Sequence, residues 1–153
     1  MSDADLSAPI EEVEKLLEAA ETSGTLVAVG SRALDRSLIG VHQSHFRELG
    51  GIFFNRVMQV LTGLRFMDTQ CGFKLYHRDA ARRIFPLQTI DGFGFDVEDL
   101  FIARRLCIPC IEVAVKWNNV EGTKVSTANS LKAFSDLLVI RQNDLKGLYR
   151  EGK

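Results

Sequence analysis

A chain of 153 residues with 46% apolar and 25% charged side chains has the composition of one globular domain, which excludes a disordered chain. Its 19 basic and 20 acidic residues leave a net charge of −1, so bulk charge does not drive it onto nucleic acid and no nucleic-acid partner is expected. The average conceals a gradient: residues 1–24 hold seven acids and one base, whereas the rest carry 18 bases and 13 acids.

Ser7 to Glu21 reads as a helix, with Ser7 as N-cap, Pro9 in the first turn and Ile10, Val13, Leu16, Leu17 and Ala20 on one face. Gly24 stops it, and residues 25–29 form an apolar strand that delivers Gly30-Ser31-Arg32 at its C-terminal end. Residues 33–43 read as loop. A long helix over 44–61 carries a stripe of Phe46, Leu49, Phe53, Val57 and Val60, with Gly50-Gly51 as a weak point. Asp68 to Tyr76 is a loop entering a short strand, and His77 to Phe85 a short basic helix. A loop from Gly92 continues as a helix to Leu106, with Val97, Leu100, Phe101 and Arg104 facing one way. Residues 111–117 alternate as a half-buried strand, 129–142 form a last amphipathic helix, and the final ten residues are expected to fray. Helices and strands alternate, so the fold class is α/β.

No apolar run reaches the ~18–20 residues of a membrane span. Met1 is followed at once by Ser-Asp-Ala-Asp, unlike a signal peptide, and three cysteines do not make a disulfide framework, so a cytoplasmic location is expected.

Several groups could carry chemistry. Asp3 and Asp5 stand on one side of an extended segment, where two carboxylates can share a divalent cation that grips a diphosphate; acidic pairs near an N-terminus are more often solvated surface. Asp68-Thr69-Gln70-Cys71-Gly72-Phe73-Lys74 offers a carboxylate and an ammonium within a few residues. Asp96, Glu98 and Asp99 open a helix, where the dipole alone accounts for some acid. Cys107-Ile108-Pro109-Cys110 has redox or half-zinc spacing but follows a helix instead of starting one, so buried structural cysteines are the better reading. Arg32, Arg36, Arg47 and Lys74 lie near strand ends or helix starts, where they could grip phosphate.

Taken in order, Asp3 to Ile10, Gly30-Ser31-Arg32, Arg65 to Leu75, Phe95-Asp96-Val97-Glu98, Val115-Lys116-Trp117 and Gly122 to Val125 resemble the family 2 glycosyltransferases. The resemblance is to their dolichyl-phosphate β-glucosyltransferase branch, with the mannosyltransferases as cousins, and it runs from Asp3 to about Arg141. It implies a GT-A-type fold and inverting transfer of a sugar from a nucleotide-diphosphate sugar, with UDP-glucose expected, to a polyprenyl or dolichyl phosphate. Carried over by position, Asp3 and Asp5 would hold Mg²⁺ or Mn²⁺; Arg32, Arg47, Lys74 and Gln70 would bind substrate; and Asp68, Asp96 and Glu98 would lie at the reacting centre. The family's nucleotide-binding half precedes the Asp-x-Asp and would occupy roughly ninety residues as three βα units. Residues 1–143 would then be the C-terminal portion of a catalytic domain, 144–153 a polar tail, and the isolated chain a fragment with little transferase activity. The expected location extends to the periphery of the membrane at its cytoplasmic face, and the rival readings are a non-enzymatic membrane-surface or interaction module that uses its amphipathic basic helices, and a dithiol redox protein.

Overall fold

The computed structural model describes residues 1–2, 6–41, 45–92, 94–118 and 127–150, with the side chains of residues 41, 45–48 and 127–131 left aside. A 3₁₀ turn (Ile10–Glu12) leads into α1 (Val13–Ser23), which Gly24 ends in the left-handed conformation at φ +65°. Then follow β1 (Val27–Ser31), β2 (Ile39–Val41), α2 (His45–Thr62), β3 (Lys74–Tyr76), α3 (Arg78–Ile84), α4 (Phe95–Arg105), β4 (Cys110–Ala114), β5 (Trp117–Asn118) and α5 (Thr127–Leu145). The α/β class is as the alternation of elements implies.

The main sheet runs β3-β1-β4, with β1 antiparallel to β3 and parallel to β4. Being central and covered on both faces, β1 is apolar without alternation, and Val27, Ala28 and Val29 are fully buried. Its side chains point to opposite sides in turn. Val27 and Val29 join a core with Met58, Leu100, Phe101, Leu137 and Ile140, whereas Ala28 joins Leu16, Phe73, Val115 and Trp117. The sheet therefore lies between α1 and the layer made by α2, α4 and α5. Gly30 is required at the end of β1: its N–H donates to Phe73 O at 2.8 Å, and a Cβ there would stand 2.9 Å from that same oxygen.

Four expectations need correction. On α1 the buried side chain is Leu16, while Ile10, Val13 and Leu17 face outward, because the sheet accepts only one narrow stripe of a short helix. On α2 the inward residues are Phe54 and Met58, and Leu49, Phe53 and Val60 are exposed. The loop at 33–43 contains β2, which pairs in parallel with β5; the strand expected over 111–117 accordingly breaks at Val115-Lys116, and Trp117 leaves the main sheet to pair with Ile39. The chain after α5 is not frayed throughout, since Tyr149 is 2% exposed and stacks edge-on against Phe101. Among the described residues no helix is long and apolar enough to cross a membrane.

Candidate functional site

β1 ends at Ser31, so Arg32 emerges at the carboxyl edge of the sheet, where open α/β folds place their ligands. Its guanidinium meets Asp68 in a two-point fork, Nε to Oδ2 at 2.6 Å and Nη2 to Oδ1 at 2.8 Å, and its backbone N–H donates to Oδ2 at 3.1 Å. The guanidinium also lies over the Trp117 ring, 5.3 Å from the centroid. Burial works to raise the Asp68 pKa, but the Arg32 charge and hydrogen bonds outweigh it and hold the carboxyl below its ordinary value. Asp68 is thus held ionised against Arg32.

The turn carrying Asp68 is itself pinned. Glu112, on β4, accepts from the Met67 N–H at 2.9 Å and from the Asp68 N–H at 2.8 Å. Beside this pair a cleft of about 610 Å³ opens between the sheet edge and α2. Its polar wall includes Arg32, Arg36, Arg56, Gln59 and Gln70; Ile52 and Met67, each 52% exposed, extend its apolar side toward solvent. Guanidinium forks beside an apolar wall suit an amphiphilic anion such as a phosphate with a hydrocarbon tail.

Lys74, Asp96 and Glu98 are not in this cleft. Lys74 is 2% exposed, ion-paired with Asp96 and hydrogen-bonded to Cys71 O at 2.8 Å, an arrangement that neutralises two buried charges between β3 and α4. Asp99 lies deeper. Tyr76 donates to its Oδ2 at 3.3 Å, and its Oδ1 is buried without a partner. Burial, reinforced by the Asp96 and Glu98 charges and only partly offset by Lys74, pushes the Asp99 carboxyl up to about 7.

Glu98 is fully buried and accepts from the Thr89 N–H (2.9 Å), the Thr89 hydroxyl (2.7 Å), the Ile90 N–H (2.8 Å) and the Tyr149 hydroxyl (2.6 Å). These bonds tie α4 to the loop before it and to the chain after α5, a structural task that occupies the carboxylate.

Asp3 and Asp5, and the Arg47 side chain, lie outside the described residues. The chain on either side of the acidic pair is anchored. Met1 exchanges two backbone hydrogen bonds with Lys74 at the outer edge of β3, and Ser7 O accepts from the Asn118 N–H at 2.9 Å. Among the described residues no cluster of three His, Cys, Asp or Glu could hold a metal ion. The expectation of two buried structural cysteines is corrected: Cys107 is exposed just beyond α4, where the chain turns toward the sheet, and Cys110, which begins β4, is half-buried, with burial raising its thiol to about 11. Sequence reasoning missed Arg56, Gln59 and Glu112. Arg56 had a signal in its four-residue spacing from Ile52 and Val60; Glu112 had none, its partners being more than forty residues away.

No protein-family model matches the chain, and no solved structure does. Curated proteins do. A dolichyl-phosphate beta-glucosyltransferase of Saccharomyces cerevisiae is 37% identical over an alignment of 164 positions, gaps included, covering 99% of this chain and 49% of that protein. Those of Homo sapiens and Dictyostelium discoideum are 38% and 36% identical, covering 98% and 90% of this chain and 48% and 43% of theirs. The chain is a relative of these glycosyltransferases. The resemblance read from its motifs is borne out, and the chain spans about half the length of the curated relatives it matches.

Proposed function

We propose that this chain forms the acceptor side of a hexosyltransferase that moves glucose from UDP-glucose, with inversion, onto a dolichyl or other polyprenyl phosphate. The observation that carries the reading is the cleft: Arg32, held by Asp68 and stacked on Trp117, stands with Arg36 and Arg56 beside an apolar wall. The acceptor phosphate would meet the Arg36 and Arg56 guanidinium groups and the edge of Arg32 turned away from Asp68, and the first isoprene units would run along Ile52 and Met67 toward the exposed Leu49, Phe53 and Val60 of α2. That apolar face, beside the basic cleft, is suited to lie against a lipid surface. An acceptor phosphate is already ionised near neutral pH, so positioning by cations matters more than a strong base, and Asp68 serves by holding Arg32.

The finer family features belong to the same proposal. Asp3 and Asp5 supply the hard oxygen donors that Mg²⁺ or Mn²⁺ prefers. A cation bound there would offset charge on the leaving diphosphate. The mixed β3-β1-β4 sheet fits one portion of a GT-A-type domain, and the relatives' greater length leaves room for a nucleotide-binding half beyond these residues. On this reading residues 1–143 belong to the catalytic domain.

The test is binding of farnesyl phosphate to the purified chain, followed by tryptophan emission, since Trp117 is the sole tryptophan and lines the cleft. Saturable binding that Arg32→Ala weakens by about tenfold or more is expected, with Arg32→Lys recovering only part of it because the two-point fork is lost. Equal binding of farnesol, or an unchanged Arg32→Ala, would refute the reading. With UDP-glucose, Mg²⁺ and polyprenyl phosphate the chain alone is expected to show little turnover; robust turnover would show that no further half is needed.

A further inference from the structure

Among the described residues nothing covers an apolar stripe on the first helical segment, and no part of the candidate cleft uses it. Ile10, Val13 and Leu17 are 58%, 36% and 49% exposed and recur at the three- and four-residue spacing of one helical face. Leu6, four residues before Ile10, is 63% exposed and holds φ +53°, a backbone conformation unfavourable to any side-chain-bearing residue. The stripe is not a displaced core face, because Leu16 on the adjoining face already covers the sheet at 1% exposure. It is a second apolar face on the same short helix.

Its charges select the occupant. Glu14, Glu18 and Glu21 are all exposed and, by helical spacing, follow the solvent side of the stripe, within a segment of seven acids and one base. An acidic rim repels an anionic lipid surface, and it repels the same face of a second copy. It attracts an apolar surface rimmed by Lys and Arg. We propose that the face formed by Ile10 of the 3₁₀ turn with Val13 and Leu17 of α1 is a docking surface for a polypeptide helix that carries an apolar stripe with a basic rim. The proposal uses no residue of the cleft and stands or falls independently of the acceptor reading.

The test is titration of the full ¹⁵N-labelled chain with a synthetic amphipathic peptide of roughly 18 residues, five helical turns, whose Leu stripe is rimmed by Lys, and with a twin rimmed by Glu. The Lys-rimmed peptide is expected to shift the amides of Ile10, Val13, Glu14 and Leu17, and to bind more weakly as salt rises. Ile10→Ser combined with Leu17→Ser should lower its affinity by about tenfold or more without moving the thermal melt, since both side chains are outside the core. Should that variant fail to fold, Glu14→Lys with Glu18→Lys is expected to reverse the preference to the Glu-rimmed twin. Equal binding of the two peptides, or shifts confined to α2, overturns the proposal. So does sedimentation showing self-association that the serine variant abolishes, or α1 shifts produced by phosphatidylserine vesicles.

Discussion

Replacing Asp99 with Asn tests the electrostatics of the core directly. In the unfolded chain the carboxyl titrates near 3.8; in the fold, burial between β3 and α4 raises it to about 7. Below the unfolded value both states are protonated and the group is neutral in its effect on stability. Between the two values the folded state keeps a proton that the unfolded state has lost, so stability falls as pH rises, and above about 7 the loss is complete. A displacement of that size corresponds to roughly 4 kcal/mol, a ceiling because water entry relieves part of the cost. Asn keeps the shape and the acceptor for Tyr76 but removes the charge, leaving an NH₂ where Oδ1 now lacks a partner. Urea unfolding of both proteins from about pH 5 to about pH 9 is the assay. The variant is expected to gain on the parent from about pH 5 to about pH 7 and to keep a constant lead from there to the alkaline end. Every other titrating group is common to both and cancels in the difference. Stability curves that stay parallel across that range would refute the reasoning.

Three further outcomes follow from the site and its supports. Glu98→Gln should destabilise the fold by about 2–3 kcal/mol in urea unfolding, because an amide cannot accept all four bonds that the buried carboxylate accepts. Glu112→Ala should weaken farnesyl phosphate binding several-fold although Glu112 makes no contact in the cleft, and Glu112→Gln should recover part of the loss; an unchanged affinity would mean that the turn holds Asp68 without it. The stability contributed by the Asp68–Arg32 fork should be present above the unfolded carboxylate value of 3.8 and lost as pH falls through the lower folded value. An NMR titration in which the Asp68 carboxyl protonates at or above its ordinary value would contradict that sign.

Much of the site was legible because its chemistry is compact in sequence. Arg32 follows the buried strand, and Asp68 opens a dense polar motif; both reach the cleft. Lys74 and Asp96 stand in equally suggestive motifs, yet the structure spends them on one another, and Glu98 is spent on Tyr149 at the far end of the chain. Nothing local distinguishes a carboxylate that will face a ligand from one that will satisfy a buried hydroxyl. The difference lies in what the fold brings against it.

The same division holds for the architecture. The sequence by itself determined the α/β class, the buried strand β1, the stop at Gly24 and the existence of α1, α2, α4 and α5, since caps, breakers and periodicity act over a few residues. Its motifs also determined the kinship with the glycosyltransferases. Only the tertiary structure decided which faces of α1 and α2 turn inward. Apolar residues occupy more than half the circumference of α2 and nearly half that of α1, and the neighbouring sheet and α5 settle the choice. Only it could show that Arg32 and Asp68, 36 residues apart, form one fork, and that Glu112 holds the turn between them, because such pairings are made by the sheet register and not by the chain near either residue.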